Sequence, residues 1–463
     1  MTRYDLLVIG SGPAGQKAAI QAAKLHKRIA LIEKDAALGG ACVNTGTLPS
    51  KTLRDAIYHL HGFTLRSFET IASSLRQRLS FQDLLARKDL VIDHEREVVA
   101  NQLRRNGVEI VHGTASFLDG HTLTVATAGG AAITLTGRHI VIATGSRPRR
   151  PPDIPFDDTR ICDSDLILAT EEIPRSLVVL GGGVIGCEYA SMFAAFGIAV
   201  TLIDRRTDLL RFVDQEIVQA LSAYMSRNGV AVRLGQHIAG VRLDANGRTL
   251  TTLNGDETIA SDMVLYAMGR IANTDRLNLA AAGLTTDAAG QLAVNEHYQT
   301  AVPHIYAAGD AIGFPALAAT SMEQGRLASC HAFQVERSTL PALFPYGIYT
   351  VPEISTVGRT EEELTAQKIP YGVGRAWYRE IARGQIVGDL EGLLKLLFHR
   401  ETRELLGVHI IGEGATELIH IGQAVMTLGG KMDFFVHNVF NYPTLAECYR
   451  TAALDGINRL THT

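Results

Sequence analysis

Residues 4–15, Tyr4-Asp5-Leu6-Leu7-Val8-Ile9-Gly10-Ser11-Gly12-Pro13-Ala14-Gly15, decide how the chain is read. An apolar run of strand length, residues 4–9, leads directly into a Gly-x-Gly-x-x-Gly turn. Residues 18–25 then read as helix and residues 29–32 as a second apolar strand. That is a β-α-β unit whose three glycines have separate jobs. Gly10 permits the tight turn, Gly12 lets backbone approach a pyrophosphate, and Gly15 allows the helix to pack closely on the strand. The helix N-terminus, with unpaired N–H groups and a positive dipole end, attracts the phosphate charge. Glu33 closes the second strand 18 residues after Gly15, where a carboxylate can accept hydrogen bonds from an adenosine ribose. Strand, glycines, helix and acid in register point to dinucleotide binding rather than an ordinary glycine turn.

The pattern recurs. Residues 177–180 are an apolar strand, Gly181-Gly182-Gly183-Val184-Ile185-Gly186 follows, a helix runs through Ala195, and residues 199–203 form the next strand before Asp204. A second fingerprint with its own acid argues against a decayed duplicate that binds nothing. One cofactor hardly explains two such units, whereas a flavin dinucleotide plus a nicotinamide dinucleotide uses both, and hydride transfer is the chemistry those two share. At the end of the second strand an acid favours the ribose hydroxyls of NAD and an Arg the extra phosphate of NADP. Asp204-Arg205-Arg206 supplies both, and a surface charge cluster of no consequence is the alternative.

Composition agrees with an intracellular globular protein. The 463 residues, 46% of them hydrophobic and 20% charged, are enough for two to four domains with sizeable cores and argue against wholesale disorder. The formal net charge of −4 lacks the basic excess that a nucleic-acid partner demands. Five cysteines, Cys42, Cys162, Cys187, Cys330 and Cys448, are widely spaced with no Cys-x-x-Cys pair, which argues against zinc or a disulfide framework and for a reducing cytoplasm. The start lacks the form of a signal peptide. Residues 177–203 are apolar enough to suggest a membrane span, but Glu188 and five glycines fit strand, turn, helix and strand better. Between the units, residues 108–143 and 230–267 read as alternating strands with turns at Asn246-Gly247 and Asn254-Gly255. Residues 147–155 and 340–345 read as linkers, and strands near 347–350, 393–398 and 406–411 precede a helix over 415–428.

Over nearly its whole length the chain resembles the pyridine nucleotide-disulfide oxidoreductases, the flavoenzyme family of glutathione reductase and lipoamide dehydrogenase. Besides the two fingerprints, the resemblance rests on Gly39-Gly40-Ala41-Cys42-Val43-Asn44-Thr45-Gly46-Thr47-Leu48-Pro49-Ser50-Lys51, Ala143-Thr144-Gly145-Ser146, Ala267-Met268-Gly269-Arg270 and Ala308-Gly309-Asp310. It implies an α/β chain of two Rossmann-like domains, one for FAD and one for NAD(P), with a C-terminal α+β domain that forms a homodimer. The implied boundaries are 1–147 and 270–343 for FAD, 148–269 for NAD(P) and 344–463 for dimerisation. It further implies that Glu33, Lys34, Gly39, Gly40, Cys42, Ala115, Thr144, Gly145, Gly269 and Asp310 line the dinucleotides, with Asp310 on the ribityl chain. Lys51 is placed by the flavin N5, and Glu188 by the nicotinamide as its counter-ion, although an ordinary helix-start Glu is the alternative. By register, Asp204 takes the family's NAD-type acidic position and Arg205 its NADP-type basic position, with Arg206 as a second candidate for the phosphate.

The departures from the family pattern are more informative. A disulfide reductase of this kind needs two cysteines, one to attack the external disulfide and one to close an internal bond. Cys42 is present, but Thr47 stands at the partner position, and a hydroxyl cannot cycle between thiol and disulfide. The family's acid/base His before Pro-Thr is Tyr442 here, in Asn441-Tyr442-Pro443-Thr444, while Glu447 remains. The resemblance is strongest to the transhydrogenase branch, which implies ping-pong exchange of hydride between NADPH and NAD+ through FAD. Alternatives with the same parts are an NAD(P)H diaphorase reducing quinones or oxygen, a single-thiol reductase using Cys42, and a nucleotide-binding sensor without turnover.

Overall fold

The computed structural model describes residues 2–66, 68, 70, 71, 74, 78, 81–170, 173–255, 257–335 and 341–461. Leu340 of the linker-like stretch and the final His462-Thr463 lie outside the described residues. The chain divides into two compact units, Met1–Thr52 with Leu85–Arg149 and Gly269–Pro341, and Leu53–Leu84 with Arg150–Met268 and Ala342–Thr463.

The first unit is built on a sheet with seven strands among the described residues. Thr2–Ile9 lies between Ile29–Glu33 and Ala132–Ile142, parallel to both, and Glu109–His112 extends the sheet beyond Ile29–Glu33. Ala132–Ile142 shares its other edge between Thr122–Ala126, which runs antiparallel and pairs with Thr114–Phe117, and Ile305–Ala307, which runs parallel. Ile29–Glu33 is buried at every residue, as expected of a parallel strand covered on both faces. The helix Pro13–Lys24 packs against Ala318–Ala332 through small residues. A Cβ on Gly325 would lie 2.0 Å from the Ala14 carbonyl oxygen, and Ser329 Oγ donates to the Ala18 carbonyl at 2.8 Å. Ser146–Pro148 and Arg270–Ala272 pair antiparallel, so the chain leaves the unit and returns to it side by side.

His139 sits in this sheet with its ring edge-on to Tyr306 and Phe333, and neither ring nitrogen has a hydrogen-bond partner among the described residues. Burial, helped by the Arg138 charge, pushes its pKa down to about 4 from 6.5. The ring is therefore neutral when folded, and the unfolded chain takes up more protons between these values. Stability contributed by the neutral ring is present above pH 6.5 and is lost as pH falls towards 4. His139→Phe is expected to flatten the stability profile in that window, read from urea midpoints at about pH 7 and about pH 4.5; parallel profiles would refute the assignment.

In the second unit Val230–Leu234, Ala199–Asp204, Ser176–Leu180, Met263–Tyr266 and Ile161–Asp163 make an all-parallel sheet in that order. The apolar stretch over 177–203 resolves into strand, turn, the helix Val184–Phe196 and strand, and no helix among the described residues is long and apolar enough to cross a membrane. A three-stranded meander, Ile238–Leu243, Thr249–Leu253 and Thr258–Ser261, turns at Gly247 and Gly255, both with positive φ as Asn-Gly turns require. The C-terminal part is an antiparallel sheet, in the order Tyr346–Ile348, Ile354–Gly358, Leu405–Ile411, Leu393–His399 and Tyr371–Trp377. The helices Ala415–Thr427 and Glu447–Thr461 pack on it. The architecture is α/β with an appended α+β layer, the fold class that the sequence implies.

Candidate active site

The first cradle forms where Thr2–Ile9 ends. Gly10 has φ +103°, and a Cβ there would lie 2.4 Å from the Ala143 carbonyl oxygen, so only glycine makes this turn. A Cβ on Gly15 would lie 1.9 Å from the Gly10 carbonyl oxygen, which fixes the close helix-on-strand approach. Gly12, the N-cap of Pro13–Lys24, has open space above it and no side-chain cap, so the first N–H groups of the helix are left for an anion. Gly40 comes against it, since a Cβ on Gly40 would meet Gly12 Cα at 2.8 Å. Glu33 is buried and accepts three hydrogen bonds: Oε2 takes Ser11 N at 2.8 Å and Ser11 Oγ at 2.6 Å, and Oε1 takes Asp35 N at 3.0 Å. Ser11 Oγ in turn accepts from Gly39 N at 3.0 Å.

Beside this cradle, Thr144 has a buried Oγ1 with no partner among the described residues, while its carbonyl accepts from Asn273 Nδ2. Gly145 takes φ +67°. Asp310 receives the Ser146 hydroxyl on Oδ2 at 2.6 Å, and Arg270 Nε donates to that hydroxyl at 2.8 Å. Gln324 Oε1 accepts from Gly309 N at 2.8 Å and so fixes the turn before Asp310. The sequence gives no sign that Ser146 and Arg270 support this acid, because their partners are distant in the chain. Lys34 is exposed and lies 4.0 Å from Asp35. Ala115 has its methyl in the apolar core, leaving only backbone to offer. Gly269, with φ +98°, accepts Arg149 N through its carbonyl.

The second cradle repeats the glycine geometry of the first. Gly181 has φ +112° with a Cβ position 2.7 Å from the Ala267 carbonyl oxygen, Gly186 would place a Cβ 1.7 Å from the Gly181 carbonyl oxygen, and Gly183 faces open space. Asp204 is 3% exposed and accepts Gly182 N on Oδ2 at 2.6 Å and Arg206 N on Oδ1 at 2.8 Å. The Arg206 guanidinium is also on it, Nε to Oδ1 at 3.0 Å and Nη2 to Oδ2 at 2.7 Å. Burial alone would push this carboxyl up, but the Arg206 and Gly182 hydrogen bonds outweigh it and hold its pKa low. Arg205 is exposed. The open pair of arginines anticipated at this position is therefore one exposed guanidinium and one bound to the acid.

Glu188 is buried in the second turn of Val184–Phe196, and its Oε1 accepts Tyr349 N at 2.8 Å. The next residues are held the same way: Arg54 donates to the Thr350 carbonyl at 3.0 and 3.2 Å and pairs with Glu353, and Ser191 Oγ accepts Val351 N. Glu188 thus holds backbone, a task the sequence does not announce, and Arg54 and Ser191 carry no sequence signal at all.

Residues 4–325 match the family described as pyridine nucleotide-disulphide oxidoreductase, and residues 344–453 match its dimerisation domain. The chain belongs to this family. Among pyridine nucleotide-disulphide oxidoreductases it is 51% identical to the soluble pyridine nucleotide transhydrogenase of Mycobacterium tuberculosis, covering 99% of this chain and 98% of that one. The protein of the same name from Pectobacterium atrosepticum is 46% identical at the same coverage. The fold of this chain matches the HOCl-induced flavoprotein disulfide reductase RclA of Escherichia coli as a Cu(II) complex, with TM-score 0.89, 28% identity, and 98% and 99% of the two chains covered. LpdA of Mycobacterium tuberculosis matches with TM-score 0.88 at 26% identity over 98% and 99%.

Against that family background the thiol region stands out. All five cysteines are free, and Cys42 is half-buried beside the Thr47 hydroxyl. Burial pushes the Cys42 thiol up, and the Thr47 hydrogen bond and the Lys51 charge offset this only in part, so it is protonated and a poor nucleophile at neutral pH. Lys51 lies in Thr47–Leu65, with Nζ 3.4 Å from Ser50 Oγ. Tyr442 is 75% exposed, and Glu447 Oε2 is buried without a partner among the described residues. No group of three or more His, Cys, Asp or Glu among the described residues could hold a metal ion.

Proposed function

We propose that this chain is an FAD-dependent transhydrogenase that exchanges hydride reversibly between NADPH and NAD+ by ping-pong turnover at one nicotinamide site. The observation that carries the reading is Cys42 standing alone opposite Thr47, which leaves no dithiol to relay electrons from flavin to a disulfide. The names and identities of the relatives over the full length support it. Residues 1–147 and 270–343 are assigned to FAD, 148–269 to NAD(P), and 344–463 to a homodimer; five free thiols suit a cytoplasmic setting.

The first cradle suits a flavin dinucleotide. It offers open space over Gly12 for a pyrophosphate, a spare acceptor position on Glu33 Oε1 for a ribose hydroxyl, and the unpartnered Thr144 Oγ1 with Asp310 Oδ1 for the polar middle of the molecule. A bound FAD supplies a centre that accepts and returns two electrons. The protein's residues bind and orient. Gly10, Gly12, Gly15, Gly39, Gly40, Gly145 and Gly269 admit backbone close to the ligands, Lys34, Cys42 and Ala115 line them, and Lys51 supplies a cation against developing negative charge. Gly181, Gly183 and Gly186 hold the nicotinamide dinucleotide, Arg205 takes the NADP phosphate, and Glu188 holds the strap carrying Tyr349 beside it.

Anaerobic holoenzyme given NADPH and thio-NAD+ is expected to form the reduced analogue stoichiometrically without added thiol or disulfide. Cys42→Ser is expected to retain that transfer. Reduction of a quinone with no transfer to the analogue would instead make the chain a diaphorase.

A further inference from the structure

The acids closing the two cradles are built alike with one difference. In both, one carboxylate oxygen accepts the N–H after the first cradle glycine, Ser11 or Gly182, and the other accepts the N–H two residues past the acid, Asp35 or Arg206. A carboxylate offers about four acceptor positions. On Glu33 the Ser11 hydroxyl fills a third and one remains on Oε1. On Asp204 the Arg206 guanidinium fills both remaining positions, at 2.7 and 3.0 Å, so none is left for a ribose.

Two nucleotides then meet this pocket differently. NAD presents ribose hydroxyls that need the carboxylate, which requires the guanidinium to leave. NADP presents a phosphate that needs cations and is repelled by a bare carboxylate; with Arg206 in place the pair is neutral and Arg205 adds a net positive charge. Arg206 can leave without losing its hydration, because its side chain is 39% exposed against 5% for Asp204. Its own backbone N–H keeps Asp204 placed when the side chain swings away.

We propose that Arg206 is a movable counter-ion that lets one pocket serve both nucleotides, latched on Asp204 for NADP(H) and displaced from it for NAD(H). The inference rests on the assignment of residues 181–206 to the nicotinamide nucleotide. It makes Arg206 a specificity-determining residue that acts through Asp204, separate from the direct phosphate contact given to Arg205.

The test is equilibrium dialysis of NAD+ and NADP+ against the oxidised holoprotein, with no turnover. For Arg206→Ala the NADP+ dissociation constant is expected to rise about tenfold, because the bared Asp204 carboxylate repels the phosphate, while that of NAD+ stays level or falls because Asp204 no longer has to be uncovered. Arg206→Gln, which keeps more of the side-chain stem, should move both constants in the same directions. Asp204→Asn should do the reverse, weakening NAD+ and sparing NADP+. Losses of equal size for both nucleotides in both Arg206 variants would overturn the latch while leaving the pocket assignment standing. Wild-type protein that binds neither nucleotide, or only one, would overturn the dual-use reading itself.

Discussion

Lys395→Met is expected to destabilise the protein by about 3–5 kcal/mol, the cost of leaving a buried charge without its partner. Lys395 is 1% exposed in the apolar strand Leu393–His399. Its Nζ lies 2.9 and 3.0 Å from the two oxygens of Asp214, 3.0 Å from Glu216 and 2.5 Å from Glu361. Asp214, 0% exposed, is also the N-cap of Gln215–Arg227 and accepts Glu361 N, so one ammonium gathers a helix start beside the parallel sheet and a helix start of the C-terminal layer. Arg375 is committed to Glu216 by two hydrogen bonds, so it is not placed to stand in for Lys395 on Asp214.

The pH dependence separates this account from simple loss of packing. Burial would push Asp214 and Glu216 up, but neighbouring positive charge and hydrogen bonds, from His409 and Lys395 for one and from Arg375 and Lys395 for the other, bring both below their ordinary values. Carboxyls depressed on folding contribute stability above the unfolded range, near about pH 4, and lose it as pH falls further. Removing the ammonium removes its share of that contribution, so the deficit in the variant should be largest at about pH 7 and shrink towards acid. Urea unfolding at neutral and acid pH checks this. Lys395→Met with Asp214→Asn should recover part of the loss, because the orphaned charge has gone. A deficit independent of pH and unrelieved by the second substitution would point to packing alone.

How much of this the sequence discloses follows from the range of each interaction. The two cradles are legible because glycine spacing, strand, helix and terminal acid fall within about 30 residues and each has a steric reason. The strands at 393–398 and 406–411 are legible from apolar runs, as Leu393–His399 and Leu405–Ile411 bear out. Lys395 reads in sequence as a polar interruption of such a run, since its three carboxylates come from positions up to 181 residues away. The Arg54 and Glu188 bonds to the Tyr349 strap are invisible for the same reason. Asp204-Arg205-Arg206 is a different case. Its residue types show the chemistry, but which guanidinium turns onto the acid depends on side-chain geometry that spacing does not encode. The helix Phe81–Arg105 buries Leu84, Ile92, Val99 and Leu103 at helical spacing, a pattern that the many charged residues between them obscure in the sequence.

Gly186→Ala and Gly183→Ala are expected to separate folding from binding within one cradle. A methyl added at Gly186 would lie 1.7 Å from the Gly181 carbonyl oxygen and 2.9 Å from its carbon, and both obstacles are backbone, so no rotamer relieves them. Either Val184–Phe196 retreats from Ser176–Leu180, opening the contact beneath buried Cys187 and Ala190, or the Gly181 turn shifts and loses its 2.8 Å bond from Gly181 N to the Ile203 carbonyl. Overpacking of this kind costs about 1–3 kcal/mol, and the nicotinamide dinucleotide should be lost with it. Gly183 has φ −81° and nothing within 4 Å of its Cβ position, so an alanine there folds without strain. In the proposed assignment of this cradle, that empty space is where a pyrophosphate has to approach the backbone. Gly183→Ala should therefore keep the unfolding midpoint and flavin content of the parent while its NAD+ and NADP+ dissociation constants both rise, about tenfold for one displaced charge-assisted contact. Unlike Arg206→Ala, it should not discriminate between the nucleotides, because the pyrophosphate is common to both. Unchanged nucleotide affinity in Gly183→Ala would remove this loop from the binding site, whatever happened to Gly186→Ala.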